Sequence, residues 1–306
     1  MKKNCFSAIF TVSALFSSCA FSIEPADIAV ELNNRFNSEG GECSDNPGYA
    51  CSGILIHTND NTAGGLTGIQ VTDHGKERGT VSFSFLRKDL RINAPNYNPI
   101  WGLSNYSGII MSGKVYDIDL PLFCLYALDA DTNMRGGNGC GKPSSKKEES
   151  KLLDYSYCRE EGVLTAEQMV DKYYKVKENY SEACSWSAVD ADSFNEWAKI
   201  PSLIKNLDPS SVYSNTEVLL KEWSTMPQDE VPLEAYYYAA NYKGSSESGE
   251  SGYRATAQRM QNEYFKIYGK FIPVIKIDMA IFLNGDAESR LEPFIYEIND
   301  QVVSPQ

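Results

Sequence analysis

Apolar and polar positions alternate most clearly over residues 79–91, where Val81, Phe83 and Phe85 are interleaved with Ser82, Ser84 and Leu86. A period of two predicts a strand with one apolar face and one mostly small, polar face. The strand delivers Arg87 at its end, followed by Asp89 and Arg91. A planar guanidinium in that place offers two parallel hydrogen bonds to a phosphate or carboxylate; the other reading is a set of solvated terminal charges. Further apolar runs predict strands at 53–57, 67–72, 107–111, 122–128, 236–238, 271–277, 280–283 and 293–298. Apolar residues at helical spacing predict helices at 24–38, at 192–206 and at 254–268, with Pro201 arguing for a break or kink in the second. Two capping boxes, Thr165 with Gln168 and Ser214 with Glu217, open two more helices, the second running through Trp223. Stretches rich in Gly, Asn, Pro or Ser at 43–51, 58–66, 92–106, 141–151 and 244–252 read as loops. Strands come early and late with helices between them, which predicts an α+β fold.

The first residues carry a targeting signal. Lys2 and Lys3 precede a largely apolar run from Phe6 to Phe16, and Ala20-Phe21-Ser22 supplies small residues for a signal peptidase. Residues 1–22 are therefore expected to be a signal peptide and 23–306 a single secreted domain. The apolar run is too short to span a bilayer as a mature helix, and no later stretch is long and apolar enough. With 41 Asp and Glu against 28 Lys and Arg, the net charge is −13. Nucleic acid is a poor partner for such a chain, because neutralising phosphates needs basic surface. Of the eight cysteines, Cys5 and Cys19 fall in the signal. The even remainder, Cys43, Cys51, Cys124, Cys140, Cys158 and Cys184, reads as disulfides in an exported chain. Short loops favour the pairs Cys43–Cys51, Cys124–Cys140 and Cys158–Cys184.

The sequence lacks a serine nucleophile elbow, a zinc-binding HExxH, a phosphate loop and a dinucleotide-fold glycine motif. Two histidines, His57 and His74, and no CxxC argue against zinc. Asp129-Ala130-Asp131-Thr132-Asn133 begins like a calcium loop, yet Met134 and Cys140 stand where that loop needs Gly and a bidentate Glu. More informative is Gln228-Asp229-Glu230-Val231-Pro232-Leu233-Glu234, an acidic segment before Tyr236-Tyr237-Tyr238. With a strand from Val231 onward, Glu230 and Glu234 point to one face. A carboxylate there is either a solvated charge or a group that holds a ribose hydroxyl and stabilises an oxocarbenium-like centre.

Phe85-Leu86-Arg87-Lys88-Asp89-Leu90-Arg91 resembles the Tyr-Arg-x-Asp-x-Arg segment of cholera- and pertussis-type ADP-ribosyltransferase toxins, whose strand-borne Arg supports the NAD site. Over most of its length the chain resembles the halovibrin family, secreted NAD-cleaving proteins of marine vibrios with relatives in pseudomonads. The matching pieces are Asn46-Pro47-Gly48-Tyr49-Ala50-Cys51-Ser52-Gly53, residues 81–87, Pro232-Leu233-Glu234-Ala235-Tyr236-Tyr237-Tyr238, residues 264–269 and Ile272-Pro273-Val274-Ile275. The resemblance implies an ADP-ribosyltransferase-like split β-sheet with peripheral helices, NAD+ as substrate and no cofactor or metal. It implies that Arg87 anchors the phosphates or ribose of NAD+, that Asp89 orients Arg87, and that Ser84 and Gln228 contribute to the NAD+ site. It also implies that Glu234 or Glu230 is catalytic and that Tyr236 or Trp101 stacks on nicotinamide. The toxins continue with a Ser-Thr-Ser strand and a Glu-x-Glu loop; the nearest segments here are Tyr106-Ser107-Gly108, Ser185-Trp186-Ser187 and Gln228-Asp229-Glu230. That departure favours water over a protein as acceptor. The expectation is a monomeric, secreted NAD+ glycohydrolase. The alternatives are a mono-ADP-ribosyltransferase acting on a host protein and a disulfide-stapled binding protein without catalysis.

Overall fold

The structure, a computed structural model, describes residues 25–38, 48–58, 65–87, 107–113, 122–127, 157–175, 184–187, 190–207, 217–240, 247–278 and 294–297. The strands are β1 (Ile54–Thr58), β2 (Thr80–Leu86), β3 (Ser107–Met111), β4 (Leu122–Tyr126), β5 (Glu217–Lys221), β6 (Leu233–Ala240), β7 (Val274–Asp278) and β8 (Phe294–Glu297). The helices are α1 (Pro25–Asn37), α2 (Gly48–Cys51), α3 (Asp73–Arg78), α4 (Tyr157–Glu160), α5 (Ala166–Met169), α6 (Ala191–Leu207) and α7 (Glu247–Tyr268), and α5 continues into a π-helical turn (Val170–Tyr174). The fold is α+β, as the order of elements predicts.

Hydrogen bonds join the strands in the order β4-β5-β2-β1-β3-β6-β7-β8. All neighbours are antiparallel except β6 and β7. A parallel neighbour needs a long crossover, and α7 supplies it. The sheet is not split. Its two halves meet in the β1–β3 ladder, where Leu55 faces Met111 and Thr58 faces Gly108, so these strands make one continuous layer.

Register sorts the side chains onto two faces. Leu55 lies opposite Phe85 and His57 opposite Ile109, which puts Val81, Phe83, Phe85 and Arg87 on one face with Leu55 and His57. On this face α6 packs Phe194 and Trp197 against Phe85, with ring centroids 5.6 and 5.5 Å apart. Trp223 covers Phe83 at 6.1 Å, and Tyr264 of α7 meets Tyr236 edge-on. Such aromatic pairs each add about 0.5–1.5 kcal/mol beyond their buried area. The opposite face carries Ile54, Ile56, Leu86 and Ile110, all buried, and the Thr58–Tyr237 hydroxyl pair at 2.7 Å.

Several predicted elements form as expected: α1, β1, β2, β3, β4, β8 and the Thr165 capping box. Thr165 Oγ1 accepts from Gln168 N at 3.3 Å, while Gln168 Oε1 accepts from Thr165 N at 3.1 Å. The disulfide Cys158–Cys184 is present, with Cα atoms 4.9 Å apart. Cys51 is disulfide-bonded as well. Cys43 and Cys140, like the calcium-like segment, His74's side chain, Trp101, Asp89 and residues 280–283, lie outside what is described.

Other elements differ. Residues 217–221 are the strand β5, not a helix opened by Ser214 and Glu217. Val218, Leu219 and Leu220 are all buried, as a strand covered on both faces requires, and such a run carries no alternation to reveal it. Residues 67–72 do not form a strand; carbonyls there serve side chains instead: Thr67 O accepts from Tyr236 Oη at 2.6 Å and Ile69 O from Trp223 Nε1 at 2.8 Å. The glycine- and serine-rich stretch from 247 to 252 is the first part of α7, not a loop. Later turns of α7 bury Ala257, Met260, Gln261 and Tyr264 and propagate the helix backward past its weak formers. Pro201 sits inside α6, which continues to Leu207.

Candidate functional site

One end of the sheet gathers the residues of interest. Leu86 faces Ile54, Leu55 faces Met111, and Met111 faces Leu233. Arg87 and Ser112 therefore follow β2 and β3, Gly53 precedes β1 and Glu234 is the second residue of β6, all at the same end of four adjacent strands, and Ser112 N extends the ladder to Pro232 O at 2.9 Å. Arg87 and Glu234 are three strand spacings apart, about 14 Å between backbones, a separation that one extended dinucleotide spans.

Arg87 is buried, 3% exposed. Its Nη1 donates to Ser52 Oγ at 3.4 Å, and Ser52 Oγ donates in turn to Gly48 O at 2.8 Å. The guanidinium lies 6.0 Å from the Phe85 ring centroid and 5.9 Å from that of Phe194, a cation–π arrangement favoured by desolvation. The strand end and α2 are thus joined through one cation.

Next to Ser52, Gly53 adopts a left-handed φ of 67°. Its N–H donates to Arg35 O at 2.6 Å, and its carbonyl accepts from Arg35 Nε at 3.2 Å. Arg35 Nη1 then donates to Glu234 Oε2 at 2.8 Å, with the two side chains 6% and 9% exposed. Glu234 is connected to Arg87 through Arg35, Gly53 and Ser52. Arg35 Nη2 is buried with no hydrogen-bond partner among the described residues.

No protein-family model matches the chain, and no curated protein matches it.

The expected site residues separate into two groups. Arg87 and Glu234 share the sheet edge just described. Glu230 does not share a strand face with Glu234, because β6 begins at Leu233 and Glu230 is exposed on the turn before it. Gln228 is half-buried on the same turn, where its Oε1 accepts from Tyr268 Oη at 2.8 Å and Thr67 Oγ1 at 3.4 Å; these bonds hold the turn to α7. Ser84 faces away from Arg87, since it is three residues removed along a strand of period two. Tyr236 is fully buried and its hydroxyl is committed to Thr67 O, so it cannot stack on a ligand. Burial pushes its hydroxyl pKa upward. Ser107 begins β3 and lies at the opposite end of that strand from Met111, while Ser185 and Ser187 flank the bridge to β4. None of these serines is at the Arg87–Glu234 edge.

Sequence reasoning missed Arg35. The signal was present: Arg35 continues the buried stripe of Leu32 and Phe36 at a spacing that should be apolar. A buried cation in an apolar stripe needs a partner, and Glu234 is that partner.

His57 lies further along β1 and is half-buried against Phe83. Its Nδ1 is 2.7 Å from Ser82 O and so carries the proton, because a carbonyl can only accept. Burial lowers its pKa below the usual 6.5, against a smaller opposing effect of the Ser82 bond. As pH falls through the unfolded value, the unfolded chain takes up a proton that folded His57 resists, and stability drops. We expect His57→Gln to flatten this acid limb in denaturant melts run between about pH 7.5 and pH 5. Parallel pH dependence in the two proteins rejects the assignment.

Proposed function

We propose that this protein is a secreted NAD+ glycohydrolase, as the halovibrin resemblance implies. The observation that carries the reading is a half-buried carboxylate, Glu234, ordered by the buried Arg35 at the same end of the sheet as the buried strand-end cation Arg87. The Glu234 carboxylate holds the 2′-hydroxyl of the nicotinamide ribose. The C1′–N bond breaks, its electron pair leaves with nicotinamide, and the positive charge on the ribose is stabilised by the carboxylate. Water adds to C1′ and loses a proton, giving ADP-ribose. Arg87, held between Phe85, Phe194 and Ser52, supports the pyrophosphate side.

Nicotinamide release from NAD+ by the purified protein tests this reading. NAD+ left intact at high enzyme concentration rejects it and favours a binding protein. We expect Arg87→Lys to raise KM for NAD+ roughly tenfold, the scale of losing one hydrogen bond to a charged group. An unchanged KM removes the anchor role. One observation favours a second reading: Glu230 is exposed just before Glu234, within reach of an external acceptor. Label from NAD+ appearing on host protein, abolished by Glu230→Gln while hydrolysis persists, supports ADP-ribosyl transfer.

A further inference from the structure

We propose that Arg35 is a positioning residue that sets the place of the Glu234 carboxylate relative to Arg87. The inference rests on the NAD+ reading of the same site. Stability alone is a weak reason for this cation. A buried Arg–Glu pair is often no more stabilising than apolar side chains of the same volume, because desolvation offsets the Coulomb attraction. What the pair supplies is geometry. Arg35 is tied at three points: its backbone oxygen receives the Gly53 N–H, its Nε donates to the Gly53 carbonyl, and its Nη1 donates to Glu234.

The guanidinium is planar, so fixing Nε on Gly53 also fixes the direction of Nη1. Glu234 Oε2 is thereby referenced to the backbone of Gly53, not to a free rotamer. The residue before Gly53 is Ser52, which holds Arg87. Two groups on strands that are not neighbours are thus registered to each other through one helix residue and one turn. The third arm, Nη2, is buried without a partner among the described residues.

The experiment uses the full chain with Arg35→Met and Arg35→Lys, measuring kcat and KM for NAD+ with the folded fraction read by circular dichroism. Arg35→Met should lower kcat per folded molecule by roughly thirtyfold, within the range that small misplacements of a reacting group produce. KM should stay within about threefold, since substrate contacts remain. Arg35→Lys should recover part of the kcat, because an ammonium can pair with Glu234 but lacks the fork that also grips Gly53. If Arg35→Met does not fold, Arg35→Lys decides alone: a lowered kcat at steady KM supports positioning. Full kcat per folded molecule in either variant overturns it and leaves Arg35 a structural cation, with the glycohydrolase reading intact. A wild-type protein that releases no nicotinamide overturns both together.

Discussion

Replacing Glu234 with Gln lowers nicotinamide release from NAD+ by at least about a hundredfold, the scale of removing one preorganised contact to developing charge. The amide keeps the shape of the carboxylate and loses the negative charge that faces the ribose cation. From the sequence alone, the variant is expected to fold as well as the parent. The structure changes that expectation, because Glu234 is the ion-pair partner of the buried Arg35. With Gln, the Arg35 charge remains buried and is met only by a neutral oxygen, which costs about 1–3 kcal/mol. Activity must therefore be expressed per folded molecule, with the folded fraction measured in the same sample. Glu230→Gln is the matching control; its exposed turn position predicts near-parental hydrolysis. Full activity in Glu234→Gln combined with loss in Glu230→Gln transfers the catalytic role to the turn.

The second large effect concerns Gly53. A Cβ added there would stand 2.1 Å from a ring carbon of Phe85. That ring packs against both Phe194 and Trp197, which also touch each other, and it is fully buried, so it has little room to yield. The left-handed φ adds its own penalty for any L side chain. Together these place Gly53→Ala at about 3–5 kcal/mol of lost stability. A chain of this size should then melt about 10 °C lower. Gly162→Ala separates the two contributions: its φ is 74°, but nothing lies within 4 Å of the added carbon. Only the backbone penalty of about 1–2 kcal/mol applies there. Equal losses at the two positions would show that the Phe85 contact is not what restricts Gly53.

What was legible in the sequence follows from how each element is stabilised. β2 alternates because its two faces meet different surroundings, and Thr165 with Gln168 caps a helix by bonds local in sequence. Both therefore leave a pattern that neighbours in the chain can show. β5 does not alternate, since apolar material covers it on both sides. The first turns of α7 are helical because later turns pack, which their own Gly and Ser residues cannot announce. The candidate site divides the same way. Arg87 and Glu234 were visible as charges at the ends of recognisable strands. Their connection was not, because it runs through Arg35, 199 residues from Glu234 in sequence, and through a turn whose importance depends on what lies over it. Ser84 and Tyr236 were drawn into the site by proximity in sequence. Strand geometry sends the first to the wrong face and places the second in the core.

The bridge between Trp186 and Leu125 has a consequence for association. β4 stands first in the strand order, where a sheet exposes backbone groups that a second chain can pair with. Trp186 N donates to Leu125 O at 2.9 Å and Trp186 O accepts from Leu125 N at 3.4 Å, which occupies that margin at Leu125. The covering segment is fastened two residues away by Cys184 to Cys158. The disulfide thus acts as a latch on a guard, tying down the segment that pairs with this margin of the sheet.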